Sequence, residues 1–274
     1  MYIKKFSEIS KDDVAEVGGK GASLGEMINA GTPVPPGFVV TAETYRQFIN
    51  SQIPVDIQEE ILWAFDELGV ERVAVRSSAV AEDSKTASWA GQLESYLNVT
   101  KNGLIDAIRE CWNSIKSERA LSYAAEQNLN EGDLVVAVVV QKMVESEVSG
   151  VMFTVNPVTH DQNEIMIEAG FGLGEMIVQG MITPDNFLLD KNSLEIKNID
   201  VQTQDKKLVF QNGENVEVTL DQIEGSKQAL NEDQIMALAK IGREIENHYG
   251  FPCDIEWAYE KGKFYIVQSR PITT

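Results

Sequence analysis

The sequence predicts an α+β protein built as two lobes, and three observations carry that expectation. Apolar residues recur at helical spacing in several stretches, β-branched runs bounded by turn residues supply strands, and those strands crowd into the second half. A length of 274 residues lies near the upper limit for one hydrophobic core, so two subdomains with a cleft between them are expected. The lobes are placed at residues 1–143 and 144–274, one functional module in all.

A helix is expected from Lys20 to Ala30, with Leu24, Met27 and Ile28 on one face. It stops at Gly31, before the turn-rich Pro33-Val34-Pro35-Pro36-Gly37. A second helix is expected from Asp56 to Leu68. Val73 to Ser77 reads as a short buried strand, and Leu104 to Gln127 carries one helical stripe through Ile108, Trp112, Ile115 and Leu121. Leu134 to Gln141 gives the strongest strand signal. Val148 to Thr154, Glu164 to Glu168, Asn186 to Asp190 and Glu195 to Ile199 extend that pattern into a sheet. The last helix starts where Asn231 and Gln234 can cap it, buries Ile235, Leu238, Ile241 and Ile245, and ends at Gly250 and Pro252.

A net charge of −20 disfavours nucleic acid and anionic membrane as partners, because both demand a basic footprint. Any polyanion must be held locally, by concentrated Lys, Arg, backbone N–H groups and a divalent cation. Cys111 and Cys253 lack CxxC spacing and sit in apolar surroundings, which points to neither disulfide nor zinc and to a cytoplasmic location. No apolar run approaches the length of a membrane span.

Beyond the last helix, Asp254-Ile255-Glu256-Trp257-Ala258 and Val267-Gln268-Ser269-Arg270-Pro271 flank Glu260-Lys261-Gly262-Lys263 and are expected to pair as a hairpin. A three-residue loop closed by a left-handed Gly262 would set Tyr259 opposite Lys263. Paired numbers then sum to an even value. Asp254, Glu256, Gln268 and Arg270 would share one face, with Ile255, Trp257, Tyr259, Tyr265 and Val267 on the other; a two-residue turn would part Glu256 from Gln268. A carboxylate, an amide and a guanidinium on one face suit a metal and a phosphate. A half-solvated polar face is the competing reading.

Other segments carry chemistry with a structural alternative beside each. Gly18-Gly19-Lys20-Gly21 could bring backbone and an ammonium to a phosphate at a helix N-terminus, or could simply start a helix. It is no Walker A loop, because Gly21 stands where Ser or Thr is needed. Arg76 ends a buried strand and is expected to project its head into a cleft, paired either with Glu82 or Asp83 or with a phosphate. Ser88 to Gln92 suits a cover loop offering N–H donors, or a surface turn. Gln141-Lys142-Met143-Val144 fits a hinge that reads a purine edge while Met143 packs on its face, or a core methionine. Glu168-Ala169-Gly170-Phe171-Gly172-Leu173-Gly174-Glu175 could admit a ligand or serve tight packing. His160 and His248 have no catalytic or metal-binding arrangement around them and read as structural.

Taken together, Gly18 to Leu24, Thr32 to Thr41, Val73 to Ala79 with Ala90-Gly91-Gln92, Ser149 to Thr154 and Gln268 to Thr273 resemble the nucleotide-binding domain of phosphoenolpyruvate synthase and pyruvate phosphate dikinase. Rifampin phosphotransferase shares this domain. The resemblance runs in order over essentially the whole chain. It implies an ATP-grasp fold, two α+β lobes closing on ATP. By that resemblance Lys20 and Arg76 contact phosphates, Glu256 and Gln268 hold Mg2+, and Arg270 meets the terminal phosphates. Gly91 and Gln92 belong to the cover loop, Gln141, Met143 and Val144 line the adenine pocket, and Glu168 lies on the nucleotide. Ser84-Lys85 stands where family members commonly carry a proline.

Family enzymes pass a phosphoryl group to a histidine on a swivelling domain and then to pyruvate or another acceptor. Neither the histidine domain nor the acceptor domain is expected within these residues, so the partner is either a phosphohistidine-domain protein or missing C-terminal domains. Two alternatives stand beside this reading: the corresponding domain of an antibiotic phosphotransferase, and a non-catalytic nucleotide-sensing module.

Overall fold

The structure, a computed structural model, describes residues 1–80, 93–127, 129 and 134–272. It is α+β, as expected, and its residues fall into two units: Met1–Gly31 with Pro35–Met143, and Thr32–Val34 with Val144–Thr274. Among the described residues, no helix is long and apolar enough to cross a membrane.

The first unit contains, in chain order, β1 (Ile3–Lys5), α1 (Val14–Asn29), β2 (Gly37–Val40), α2 (Ala42–Phe48), α3 (Val55–Leu68), β3 (Val73–Ala79), β4 (Ser95–Val99), α4 (Leu104–Ser114), α5 (Glu118–Glu126) and β5 (Val136–Lys142). Its sheet is antiparallel, in the order β1-β2-β5-β3-β4. Alternation divides the sheet's residues between two faces. Phe38, Val40, Val73, Val75, Val136, Val138 and Val140 point to a core shared with Ile57, Ile61 and Phe65 of α3 and Leu104, Ile108 and Trp112 of α4. Val39, Arg76, Ser78, Val139 and Gln141 lie on the opposite face, against which α1 packs. Burial of each large aliphatic side chain contributes about 1.5–3 kcal/mol.

Three differences from the sequence reading have local causes. Helix α1 extends upstream to Val14, and the positive φ of Gly18 breaks it just before the expected start at Lys20. The stripe from Leu104 to Gln127 is two helices, since Ser117 accepts the Ala120 N–H and starts α5 anew. Strand β3 runs on to Ala79, so Arg76 sits in mid-strand and not at its end.

The second unit holds β6 (Val148–Phe153), β7 (Glu164–Phe171), α6 (Glu175–Val178), β8 (Asp185–Asp190), β9 (Ile196–Asp200), β10 (Lys206–Gln211), β11 (Glu214–Thr219), α7 (Gln222–Gly225), α8 (Glu232–Tyr249), β12 (Cys253–Glu260) and β13 (Lys263–Pro271). Six strands form an antiparallel sheet, β13-β12-β6-β7-β8-β9, and β10 with β11 forms a separate ribbon. One face of the sheet carries Met152, Ile165, Ile167, Phe187, Leu189, Ile255 and Trp257, all buried. Helix α8 packs on this sheet, capped at Asn231 and ended by left-handed Gly250; it approaches so closely that a Cβ on Gly242 would lie 2.6 Å from Met152 Cε. Thr32–Val34 belongs to this unit, and Pro33 accepts the Ile266 N–H on the edge strand β13.

The hairpin β12–β13 turns differently from expectation. Glu260 pairs with Lys263, and Lys261 (φ 48°) with Gly262 (φ 83°) makes a two-residue turn with both φ positive. Near the turn, paired numbers are therefore odd in sum: Phe264 and Ile266 join Trp257 and Tyr259 on the core side, as the ring contacts of Phe264 with both aromatics attest, while Tyr265 pairs with Ala258 on the other face. Val267 is then bulged out. Beyond it Glu256 pairs with Gln268 and Asp254 with Arg270, and the even register is restored.

Cys111 and Cys253 are free and buried, and burial pushes both thiols up to about 12. Neither should react with a thiol reagent at pH 8 until the chain is unfolded; prompt labelling of the native protein would contradict the packing described. A Cβ on Gly150 would lie 1.8 Å from the Glu168 carbonyl oxygen, so Gly150→Ala should cost about 3 kcal/mol or more in urea unfolding.

Candidate functional site

The polar face of the second unit is laid out by strand register. Direct partners across an antiparallel sheet put their side chains on the same face, about 5 Å apart. One row reads Gln268, Glu256, Val151, Glu168, Asn186 across β13, β12, β6, β7 and β8. The next row on the same face reads Arg270, Asp254, Phe153, Met166. Asp254, Glu256, Gln268 and Arg270 thus share one face as the sequence reading expects, Glu168 lies in the same row as Glu256, and the apolar face lies beneath.

Asp254 is the member of this group that the sequence reading placed on the face but assigned no role. Arg270 donates to its Oδ2 through both Nε (2.8 Å) and Nη2 (2.6 Å), which fixes the plane of the guanidinium. The signal lay in the Asp254-x-Glu256 alternation. Burial pushes the Asp254 carboxyl above the usual carboxylate range against the opposing pull of Arg270, and Glu256 adds to the rise. Burial likewise raises Glu168, with the Asp254 charge contributing. Burial is the leading cause in both, so the charged form of these two carboxyls is disfavoured.

The glycine-rich turn after Glu168 is taken up internally. Phe171 N–H donates to Gln204 Oε1, Gly172 N–H to the Glu147 carbonyl and Leu173 N–H to the Leu208 carbonyl, each at 2.9 Å. The Gly172 carbonyl in turn accepts from Ser149 Oγ at 2.6 Å and Ser146 Oγ at 3.0 Å. These backbone groups are satisfied within the protein. Gly172 has a φ of 80°, and a Cβ there would lie 2.3 Å from the Leu208 carbonyl oxygen.

In the first unit, Lys20 sits in the first turn after a break in α1 at Gly18, and Arg76 lies half-buried on the face of β3 that α1 covers. Arg76 pairs with Val139, and Ala74 with Gln141, so the arginine and the glutamine share that face. Gln141 is buried and its Nε2 donates to the Pro35 carbonyl at 3.5 Å. Met143 spends its N–H on the Arg72 carbonyl at 3.1 Å. Val144, buried, opens the second unit. Gly91 and Gln92, with Glu82 and Asp83, lie outside the described residues. His160 falls in the β6–β7 loop, and His248 sits edge-on to Tyr249 at 5.3 Å in the last turn of α8.

Comparison with known proteins identifies the domain. The family described as pyruvate phosphate dikinase, AMP/ATP-binding domain, matches residues 14–52 and 48–274. Phosphoenolpyruvate synthase of Pyrococcus furiosus is 41% identical over 358 aligned positions, covering 100% of this chain and 44% of that protein. A probable phosphoenolpyruvate synthase of Methanocaldococcus jannaschii is also 41% identical, over 100% of this chain and 27% of its own length. The chain thus spans less than half the length of these relatives. Among solved structures, a dinucleotide-forming acetyl-coenzyme A synthetase 1 of Ca. Korarchaeum cryptofilum covers 92% of this chain and 91% of its own at 15% identity, with a TM-score of 0.46. On the strength of the family match and these sequence identities, the chain belongs to the pyruvate phosphate dikinase AMP/ATP-binding domain family.

Proposed function

We propose that the chain binds Mg-ATP in an ATP-grasp arrangement and passes a phosphoryl group to a histidine on another domain or chain. In the complete system this would serve the conversion of pyruvate, ATP and water to phosphoenolpyruvate, AMP and phosphate. The observation that carries the reading is the shared face of Glu256, Gln268 and Arg270, in a member of an AMP/ATP-binding family.

The donor set fits a hard dication. A carboxylate and an amide oxygen stand side by side, on a face where burial already penalises the charges of Glu168 and Asp254. Glu256 and Gln268 would hold the magnesium, which when bound would supply positive charge against the phosphates. Arg270, its plane fixed by Asp254, offers a rigid fork to the terminal phosphates. Lys20 and Arg76 of the first unit serve phosphate binding, and Gly91 and Gln92 serve nucleotide binding. Gln141, Met143 and Val144 take the adenine, and Glu168 lies on the nucleotide. Phosphoryl transfer asks the protein mainly for positioning and charge stabilisation, which these groups supply without a nucleophile of their own.

Mixed with a histidine domain taken from a relative, the chain should form AMP from Mg-ATP, and Glu256→Ala should lower that rate at least about a hundredfold. Calorimetry should show the same variant binding ATP about tenfold more weakly in the presence of magnesium. Magnesium-independent binding of equal strength in both proteins would instead favour the nucleotide-sensing reading.

The raised carboxyls give a pH test. A carboxyl whose folded pKa is raised stabilises the fold fully below its ordinary range, and that contribution is lost as pH rises through the raised value. Glu168→Gln should therefore raise Tm at pH 7 by about 2 °C or more and change it little near pH 4. An equal gain at both pH values would mean that ionisation is not the cause.

A further inference from the structure

Helix α1 is broken at Gly18, whose φ of 71° and ψ of 172° fall outside the helical range. The helix restarts with Gly19, Lys20 and Gly21 in its first turn. Gly18 then occupies the position from which a side-chain oxygen ordinarily accepts the N–H of the second or third helical residue. Glycine has no such oxygen. Ser78, from the neighbouring β3, provides one: its Oγ accepts from the Gly21 N–H at 3.2 Å and donates to the Val17 carbonyl at 2.8 Å. A single hydroxyl thereby closes both sides of the break.

The joint is fitted tightly. Ser78 is fully buried, and a Cβ on Gly18 would lie 2.3 Å from both its Oγ and its carbonyl oxygen. A bare α-carbon at 18 is what lets the hydroxyl at 78 reach across. Ser78 stands two residues beyond Arg76 on the same strand and the same face, so the capped turn is registered against the strand that carries the arginine.

We infer that Ser78 is a positioning residue for phosphate recognition, capping the restarted helix from outside its own chain segment and so fixing Lys20 relative to Arg76. This rests on the reading that Lys20 and Arg76 meet the triphosphate. The residue acts through Lys20 and has no contact with the nucleotide assigned to it.

Calorimetry of the 274-residue chain with Mg-ATP and with adenosine tests it. Ser78→Ala should bind Mg-ATP about tenfold more weakly, ~1.4 kcal/mol, and adenosine as tightly as the wild type. In a Lys20→Ala background the same substitution should cost less than about twofold, because the effect runs through the lysine. Undiminished ATP affinity in Ser78→Ala, a matching loss for adenosine, or an equal ATP loss with and without Lys20 overturns the inference and leaves the nucleotide reading standing. A wild-type chain that binds no ATP removes that reading and the inference with it. Should Ser78→Ala fail to fold, Ser78→Cys, which keeps the volume and weakens the hydrogen bonds, makes the same comparison with the same deciding outcomes.

Discussion

Pairing between β12 and β13 decides what the second unit can present. The turn at Lys261-Gly262 imposes an odd register, which, continued to the end of the hairpin, would set Glu256 opposite Val267 and Ile255 opposite Gln268. The amide would then enter the apolar layer beside Trp257, where an unpaired polar group costs about 1–3 kcal/mol on the scale of protein mutations. One extra residue prevents this. By bulging at Val267 the strand keeps a tight turn at its tip and a polar face at its base, so the turn's demands and the site's demands are met in different halves of one hairpin.

Electrostatics follow from that placement. A chain with a net charge of −20 can hold a polyanion only where its background is locally reversed, and the two units place their candidate groups by different means. In the second unit a guanidinium is locked by a neighbouring carboxylate, and further acids wait in a partly desolvated row. In the first, a lysine rides the opening turn of a helix and an arginine rises from mid-strand. The two sets of groups lie on separate sheets, each ordered by its own hydrophobic core.

Much of this was legible in the residues, and the failures are instructive. Strands β3, β5, β6, β7 and β8 were readable because β-branched runs must be buried, and α8 because its caps and stripe agree. Strand β2 was hidden by the prolines that precede it and the glycine that opens it, which read as turn. The ribbon β10–β11 did have a local signal, Asn212-Gly213 between alternating segments, and both residues take positive φ. Its partner-dependent role, receiving the Leu173 N–H at Leu208, had none. The bulge at Val267 is likewise invisible locally, since it is the compromise between a turn and a row of side chains some distance away. The shared face was reached from the wrong loop length, because a three-residue loop and a two-residue turn plus a bulge restore the same parity.

Three residues drawn from elsewhere in the chain have a practical bearing. Thr32–Val34 lies with the second unit although both its flanks lie with the first, and Pro33 covers the outer edge of β13 one residue before the bulge. A fragment starting at Val144 would lose that strap and leave the Ile266 N–H on an open strand edge, a template for pairing with other chains. Neither unit is therefore a contiguous piece of sequence, and cleavage of the Met143–Val144 bond alone would leave them tethered.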